Sequence, residues 1–251
     1  MKGGKAMTAL YYKGDNIGYT VIRTNRKTIS IKVTVDGNVI VAAPSRCSEA
    51  TLEAILHKKA TWIIAKINEM KSKRQLLASR EYENGESLKL LGKDYSLQVI
   101  YGDYKKCTAK FNNMLFTLLL NDNMVVEKRK IAAKETLTKL YREIAKVLLK
   151  ERTDYYSKLY NFHPARITIK EQKSVWGSCS SIGNINYNWK IIMSSLAVVD
   201  YIVVHELCHL VHHNHSTEYW RLVESILPKY KECQNWLKEN RGTLTLDYIH
   251  Y

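Results

Sequence analysis

One stretch constrains this chain more than any other: Val203-Val204-His205-Glu206-Leu207-Cys208-His209-Leu210-Val211-His212-His213-Asn214-His215-Ser216. Apolar residues at Val199, Ile202, Val203, Leu207, Leu210 and Val211 recur at helical spacing, which predicts a helix from Leu196 to about His213. So apolar a helix should be buried, yet it carries H-E-x-x-H. His205 and His209 lie one turn apart on one side, where both imidazoles can reach a single ion. Zinc takes nitrogen ligands at about 2.0–2.1 Å, and catalytic sites keep an open, water-filled position beside three protein ligands. Glu206 follows His205 by roughly 100° round the helix, so it can lean over that position as a general base without being a ligand. A buried cluster of His and Glu with no ion would be costly. The stretch reads as a metal-hydrolase site, with zinc (Zn2+) as the expected cofactor.

The third ligand needs a separate argument. On a continuous helix His212 would share the face of His205 and His209, but about 10 Å along the axis from His205, too far to close on one ion. His215 becomes available only if the helix ends first. Asn214 tolerates the left-handed conformation of a helix end, and Ser216-Thr217-Glu218 suits the start of the next helix. His215 is therefore the expected third ligand, with Glu218 or a later carboxylate as the alternative.

The 251 residues suffice for one large domain or two small ones with a proper core. With 45% hydrophobic and 25% charged residues the chain should be globular. The basic start, Met1 to Lys5, precedes no apolar core of signal-peptide length, and no apolar run is long enough to cross a bilayer. Five cysteines, an odd number with no C-x-x-C, point to reduced thiols and a cytoplasmic home. Cys208 falls inside the motif, where a small buried apolar role fits better than ligation. The net charge of +15 leaves nucleic acid open as a partner, although the basic residues are spread along the chain. Lys128-Arg129-Lys130 and the cluster at 71–74 read as solvated helix ends.

Along the chain, residues from Tyr11 to Ala43 alternate in strand fashion, with a hairpin signal at Asp36-Gly37-Asn38. Ser48-Glu49 opens a helix to about Lys73. Strand patterns resume at Ser87–Leu90, Ser96–Ile100, Lys110-Phe111 and Leu115–Leu120, with Gly92-Lys93-Asp94 as a turn. Residues 1–124 thus form an N-terminal β-rich lobe with one helix and no chemistry of its own. From about Val126 to Tyr160 runs a long amphipathic helix, or a pair, suited to back the metal-binding one. Arg166–Lys170 and Ile185–Ile192 read as strands, and short helices follow at Glu218–Val223 and from Pro228 to about Glu239. Trp176 and Trp189 are placed to close over the buried helix. Ser178 and Cys179 lack a G-x-S-x-G elbow, so a structural role outweighs a nucleophilic one. Residues 125–251 form the second domain, and the fold class is α+β.

At this point the residues resemble a known group. Trp176-Gly-Ser-Cys-Ser, Asn184-Ile-Asn-Tyr-Asn-Trp, Asp200-Tyr-Ile-Val-Val-His205-Glu-Leu-Cys-His209 and Asn214-His215-Ser-Thr-Glu-Tyr-Trp220, in that order, look like the YgjP-like (DUF45) metallopeptidases. These are metal-dependent hydrolases of the M48 or SprT-like zincin type. The resemblance implies a zincin-like catalytic domain, in which a small antiparallel sheet and backing helix support the HExxH helix. It also implies His205, His209 and His215 as zinc ligands and Glu206 as catalytic base. One departure is Val175, where members commonly carry arginine; it bears on substrate contact and leaves the metal site intact. The gap before His215 also equals that of the metzincins, but these carry glycine where this chain has His212, and no methionine turn follows.

The expected activity is zinc-assisted hydrolysis of a peptide bond in a peptide or protein substrate. Trp176 and Tyr219 are the candidate substrate-binding residues, Tyr219 as a helper at the oxyanion. Two other functions compete. One is a SprT-like protease acting on DNA-bound proteins; the other is a structural zinc protein, its fourth position filled by His212 or Cys208.

Overall fold

The computed structural model describes residues 7–34, 37–75, 77–172 and 174–250 of the chain. The basic start at Met1 to Lys5 and the Asp36 position of the hairpin signal lie outside them. Two compact units divide between Ala78 and Ser79.

In the first unit, β1 (Met7–Tyr12), β2 (Asp15–Thr24), β3 (Ser30–Val33) and β4 (Val39–Pro44) form a sheet of order β1-β2-β4-β3. The β1–β2 and β3–β4 pairs are antiparallel and β2–β4 is parallel. Lys13 and Gly14 join β1 to β2 with φ of 50° and 91°, the two positive values that a two-residue hairpin of matching twist needs. Helix α1 (Glu49–Gln75) starts where Ser48 Oγ accepts the Thr51 N–H at 3.2 Å. It buries Leu52, Leu56, Ala60 and Ile63, residues three and four apart, in one cluster with Leu10, Ile17, Tyr19, Val39, Val41 and Ala43.

The second unit opens with the same design. After β5 (Leu77–Ser79), strands β6 (Ser87–Leu90), β7 (Lys93–Gly102), β8 (Thr108–Asn112) and β9 (Leu115–Asn121) take the order β6-β7-β9-β8. The outer pairs are again antiparallel and the central pair parallel. Leu91 and Gly92 make the hairpin with φ of 51° and 75°. A long helix, α2 (Val126–Tyr160), follows Asn121 at the interval by which α1 follows Pro44. Residues 7–75 and 87–160 are therefore two copies of one β4α pattern, which strand periodicity alone does not reveal.

Helix α2 presents Ala133, Leu137, Tyr141, Ala145, Leu149, Thr153 and Tyr156 as one buried stripe. Tyr141 stacks on Phe116 of β9 at 5.5 Å between ring centroids. Leu88, Leu97, Phe116 and Leu118 share a cluster with this stripe and with the motif helix. That shared core explains why the division falls at 78/79 and not at 124/125, because residues 87–121 pack with α2. The helix ends at Asn161, in the left-handed region with φ 56° and its N–H on Ser157 O.

Beyond it, β10 (Arg166–Lys170), β11 (Gly177–Cys179) and β12 (Asn184–Asn188) form a sheet of order β10-β12-β11, parallel between β10 and β12 and antiparallel between β11 and β12. The sheet is mixed, not antiparallel as anticipated. β12 also ends at Asn188 instead of running to Ile192: the Asn188 side chain accepts the Lys190 N–H at 3.2 Å and starts a 3₁₀ turn over Trp189–Met193. Then come α3 (Leu196–Cys208), α4 (Thr217–Ile226), α5 (Tyr230–Asn240) and β13 (Tyr248–His250). The β6–β7 turn is fastened to the entry of α3 by Leu91 N–H to Ile192 O at 2.7 Å. A β-carbon on Gly92 would meet the Ser195 backbone at 3.0 Å, so glycine there serves both the turn and the close approach. The architecture is α+β. No helix of the described residues is long and apolar enough to cross a membrane.

Candidate metal centre

Ten residues of α3, from Val198 to Cys208, are buried. A helix apolar on all sides belongs in a core, and here it lies against α2 and the β10–β12 sheet. Asp200 is held on α2 by Arg152, whose Nε and Nη2 donate to the two carboxylate oxygens at 2.6 and 2.9 Å. Arg152 also covers the Tyr155 and Tyr156 rings at 4.7 and 5.4 Å. The helix carrying His205 and Glu206 is thereby fixed in register.

The helix stops at Cys208, five residues before the anticipated end at His213, with His209 as its C-cap. Backbone N–H groups of Leu210 and Val211 turn onto Leu207 and Cys208 carbonyls, and His209 Nδ1 contacts the His212 carbonyl at 3.0 Å. The reversal is made by residues 209–213. Asn214 does not supply a left-handed turn; its Oδ1 accepts the Ser216 N–H at 3.3 Å. Ser216 then caps α4 by accepting the Tyr219 N–H at 3.3 Å.

These turns bring His215 back to the motif. One ring nitrogen from each of His205, His209 and His215 lies within 4.8 Å of the others. The Nε2 atoms of His205 and His215 are 3.3 Å apart, about the separation of two nitrogens sharing a tetrahedral zinc at 2.0–2.1 Å. His205 and His209 are half-buried and His215 is exposed. Glu218 is also exposed, on the first turn of α4, outside this cluster.

The electrostatics suit cation ligands. Burial, with His209 and His215 close by, pushes the His205 pKa down to about 3, and burial lowers His209 as well. Both rings are neutral near pH 7, with lone pairs to offer. A carbonyl can only accept, so His209 carries its proton on Nδ1 and leaves Nε2 bare. Glu206 is 3% exposed, and burial pushes its pKa up to about 8. Among the described residues no ion pair engages it. Its carboxylate lies over Gly177 of β11, where a β-carbon would be 2.4 Å from Oε1.

Of the anticipated substrate residues, Trp176 is half-buried against the core and its carbonyl accepts the Asn188 N–H at 2.8 Å. It directly precedes Gly177, beside Glu206. Tyr219 is placed differently from the expectation. It is fully buried, with its hydroxyl 2.7 Å from His205 Nδ1 and 3.0 Å from the His205 carbonyl. This hydroxyl sits behind the imidazole, with its bonding capacity used, and is not available to an oxyanion. Trp189 is in the core beside Tyr141. Cys208 is wholly buried and its thiol pushed up to about 12; burial likewise pushes Cys179 up to about 11, so both stay protonated.

Two contributors were not anticipated. Trp220 stacks on His215 at 5.4 Å and 18°, and on Tyr230 at 5.3 Å and 15°, holding the third imidazole from its loop side. Gly177 makes room for Glu206; a glycine inside a short strand is the signal for such an approach.

Three convergent imidazoles beside a buried carboxylate are a donor set that fits a divalent cation. In sequence, the chain belongs to the YgjP-like family, matching its metallopeptidase domain over residues 27–240. Among solved structures, the metallopeptidase zymogen of Pyrococcus abyssi, abylysin, is similar at 21% identity, over 37% of this chain and 95% of that one, with a TM-score of 0.34. No curated protein matches.

Proposed function

We propose that the chain is a zinc-dependent metallopeptidase of the zincin-like type, with His205, His209 and His215 as metal ligands and Glu206 as general base. The observation that carries this reading is the convergence of three imidazoles within 4.8 Å beside a buried carboxyl group that no ion pair engages among the described residues. A zinc ion there supplies a Lewis acid that acidifies water and polarises a carbonyl. Glu206 takes a proton from the attacking water and returns it to the leaving amine, a role its buried position over Gly177 suits. β11 is an edge of its sheet, and an extended peptide pairing along it would pass Gly177 with its scissile carbonyl near Glu206.

The decisive comparison is Glu206→Gln against wild type, with zinc content and cleavage of a peptide library both measured. Zinc should stay bound while turnover falls by about 10²–10⁴-fold. Cleavage at the wild-type rate would remove Glu206 from the chemistry. A closed structural zinc is disfavoured by the positions of Cys208, deep in the core, and His212, whose carbonyl serves His209.

A second reading is favoured by charge. Residues 1–78 hold 14 lysines and arginines against five aspartates and glutamates, enough to hold a peptidase on nucleic acid. DNA binding that weakens steeply with salt would support it, and its absence at low salt would exclude it.

A further inference from the structure

We infer that Tyr219 is a positioning residue for the metal centre: its hydroxyl fixes the proton of His205 on Nδ1 so that Nε2 faces the ion as a bare lone pair. The inference rests on the metal-binding reading above and adds a role that H-E-x-x-H does not contain. The hydroxyl has one hydrogen and two neighbours, His205 Nδ1 at 2.7 Å and the His205 carbonyl at 3.0 Å. The carbonyl has no hydrogen to give, so it takes the hydroxyl's. Nδ1 must then be the donor to the tyrosine oxygen. With the opposite tautomer the hydroxyl hydrogen would be drawn to Nδ1 and the half-buried carbonyl would face an oxygen with no hydrogen between them, an unfavourable arrangement.

The same side chain reaches the other two imidazoles. Its ring lies nearly parallel to that of His209 at 4.6 Å and 25°, and edge-on to His215 at 4.9 Å and 88°. One residue, set by the Ser216 cap of α4, therefore touches all three expected ligands. Outer partners of this kind commonly change metal affinity by about 10–100-fold.

Tyr219→Phe keeps the ring and removes only the oxygen. Zinc affinity by chelator competition should fall about 10–100-fold, and ¹⁵N spectra of the metal-free protein should show the His205 Nδ1–H tautomer in wild type and its loss in the variant. Unchanged affinity with an unchanged tautomer would overturn the inference. So would a wild-type His205 carrying its proton on Nε2, a measurement that needs no folded variant. If wild type takes up no zinc, the metal-binding reading fails instead, while the tautomer comparison still decides the role of Tyr219.

Discussion

Gly177 and Glu206 occupy space that two ordinary residues could not share. A β-carbon on Gly177 would be 2.4 Å from Oε1 of Glu206 and 2.7 Å from its Cδ and Cγ. Its φ is not in the left-handed region, so glycine is required here for room and not for backbone freedom. Strand β11 and helix α3 can approach face to face because one of them lacks a side chain at the point of contact.

Gly177→Ala should therefore separate catalysis from folding. The Glu206 carboxylate can swing aside, but its Cγ lies 2.7 Å from the added carbon and the side chain is buried, so the change should cost about 1–3 kcal/mol of stability. The displaced carboxylate should cost about 100-fold or more in kcat, as a 1 Å misplacement of a reacting group does. Zinc content should match wild type. Full activity in this variant would mean that Glu206 works from some other position.

Arg152 and Asp200 offer a test of what holds the motif helix. Their side chains are 19% and 12% exposed and joined by two hydrogen bonds; Asp200 is the first cause of the raised Arg152 pKa. Asp200→Ala leaves the guanidinium half-buried without its partner, a change expected to cost about 2–4 kcal/mol, most of it the penalty of the orphaned charge. Urea unfolding of both proteins measures it. A loss below about 0.5 kcal/mol would place the pair with exposed ion pairs, which contribute little.

What the sequence discloses follows from how local each contact is. His205, Glu206 and His209 share one helix, so the 3.6-residue period alone sets their relation. His215 depends on where that helix stops, and the stop is made by His209 reaching the His212 carbonyl, a contact that no residue propensity encodes. For that reason the anticipated turn at Asn214 is displaced to residues 209–213. Tyr219 is recognisable as an aromatic near the site, but the side of His205 it faces is decided by the pitch of α4. The two β4α copies are hidden because strand order and pairing direction, not residue identities, are shared: of the hairpin residues Lys13-Gly14 and Leu91-Gly92, glycine alone is common. Hairpin and helix signals were legible within each copy, whereas the parallel pairing of β2 with β4 and of β7 with β9 joins segments about 20 residues apart.

Chelated protein should show an unusual dependence of stability on pH. Without the ion, burial holds His205 at about 3 against an ordinary 6.5, and Glu206 at about 8 against an ordinary 4.5. From pH 3 to 6.5 the unfolded chain binds the extra proton, at His205, so that group makes stability rise with pH. From pH 4.5 to 8 the native state binds the extra proton, at Glu206, so that group makes stability fall as pH rises. The two oppose each other between 4.5 and 6.5. From this pair, stability should rise from pH 3 to 4.5, level off, and decline from 6.5 to 8. Glu206→Gln should abolish the decline and extend the rise to 6.5, as measured by urea midpoints in a chelator. A chelated wild type with the same profile as the variant would show that Glu206 titrates in the native state as it does in the unfolded chain, contrary to its burial against Gly177.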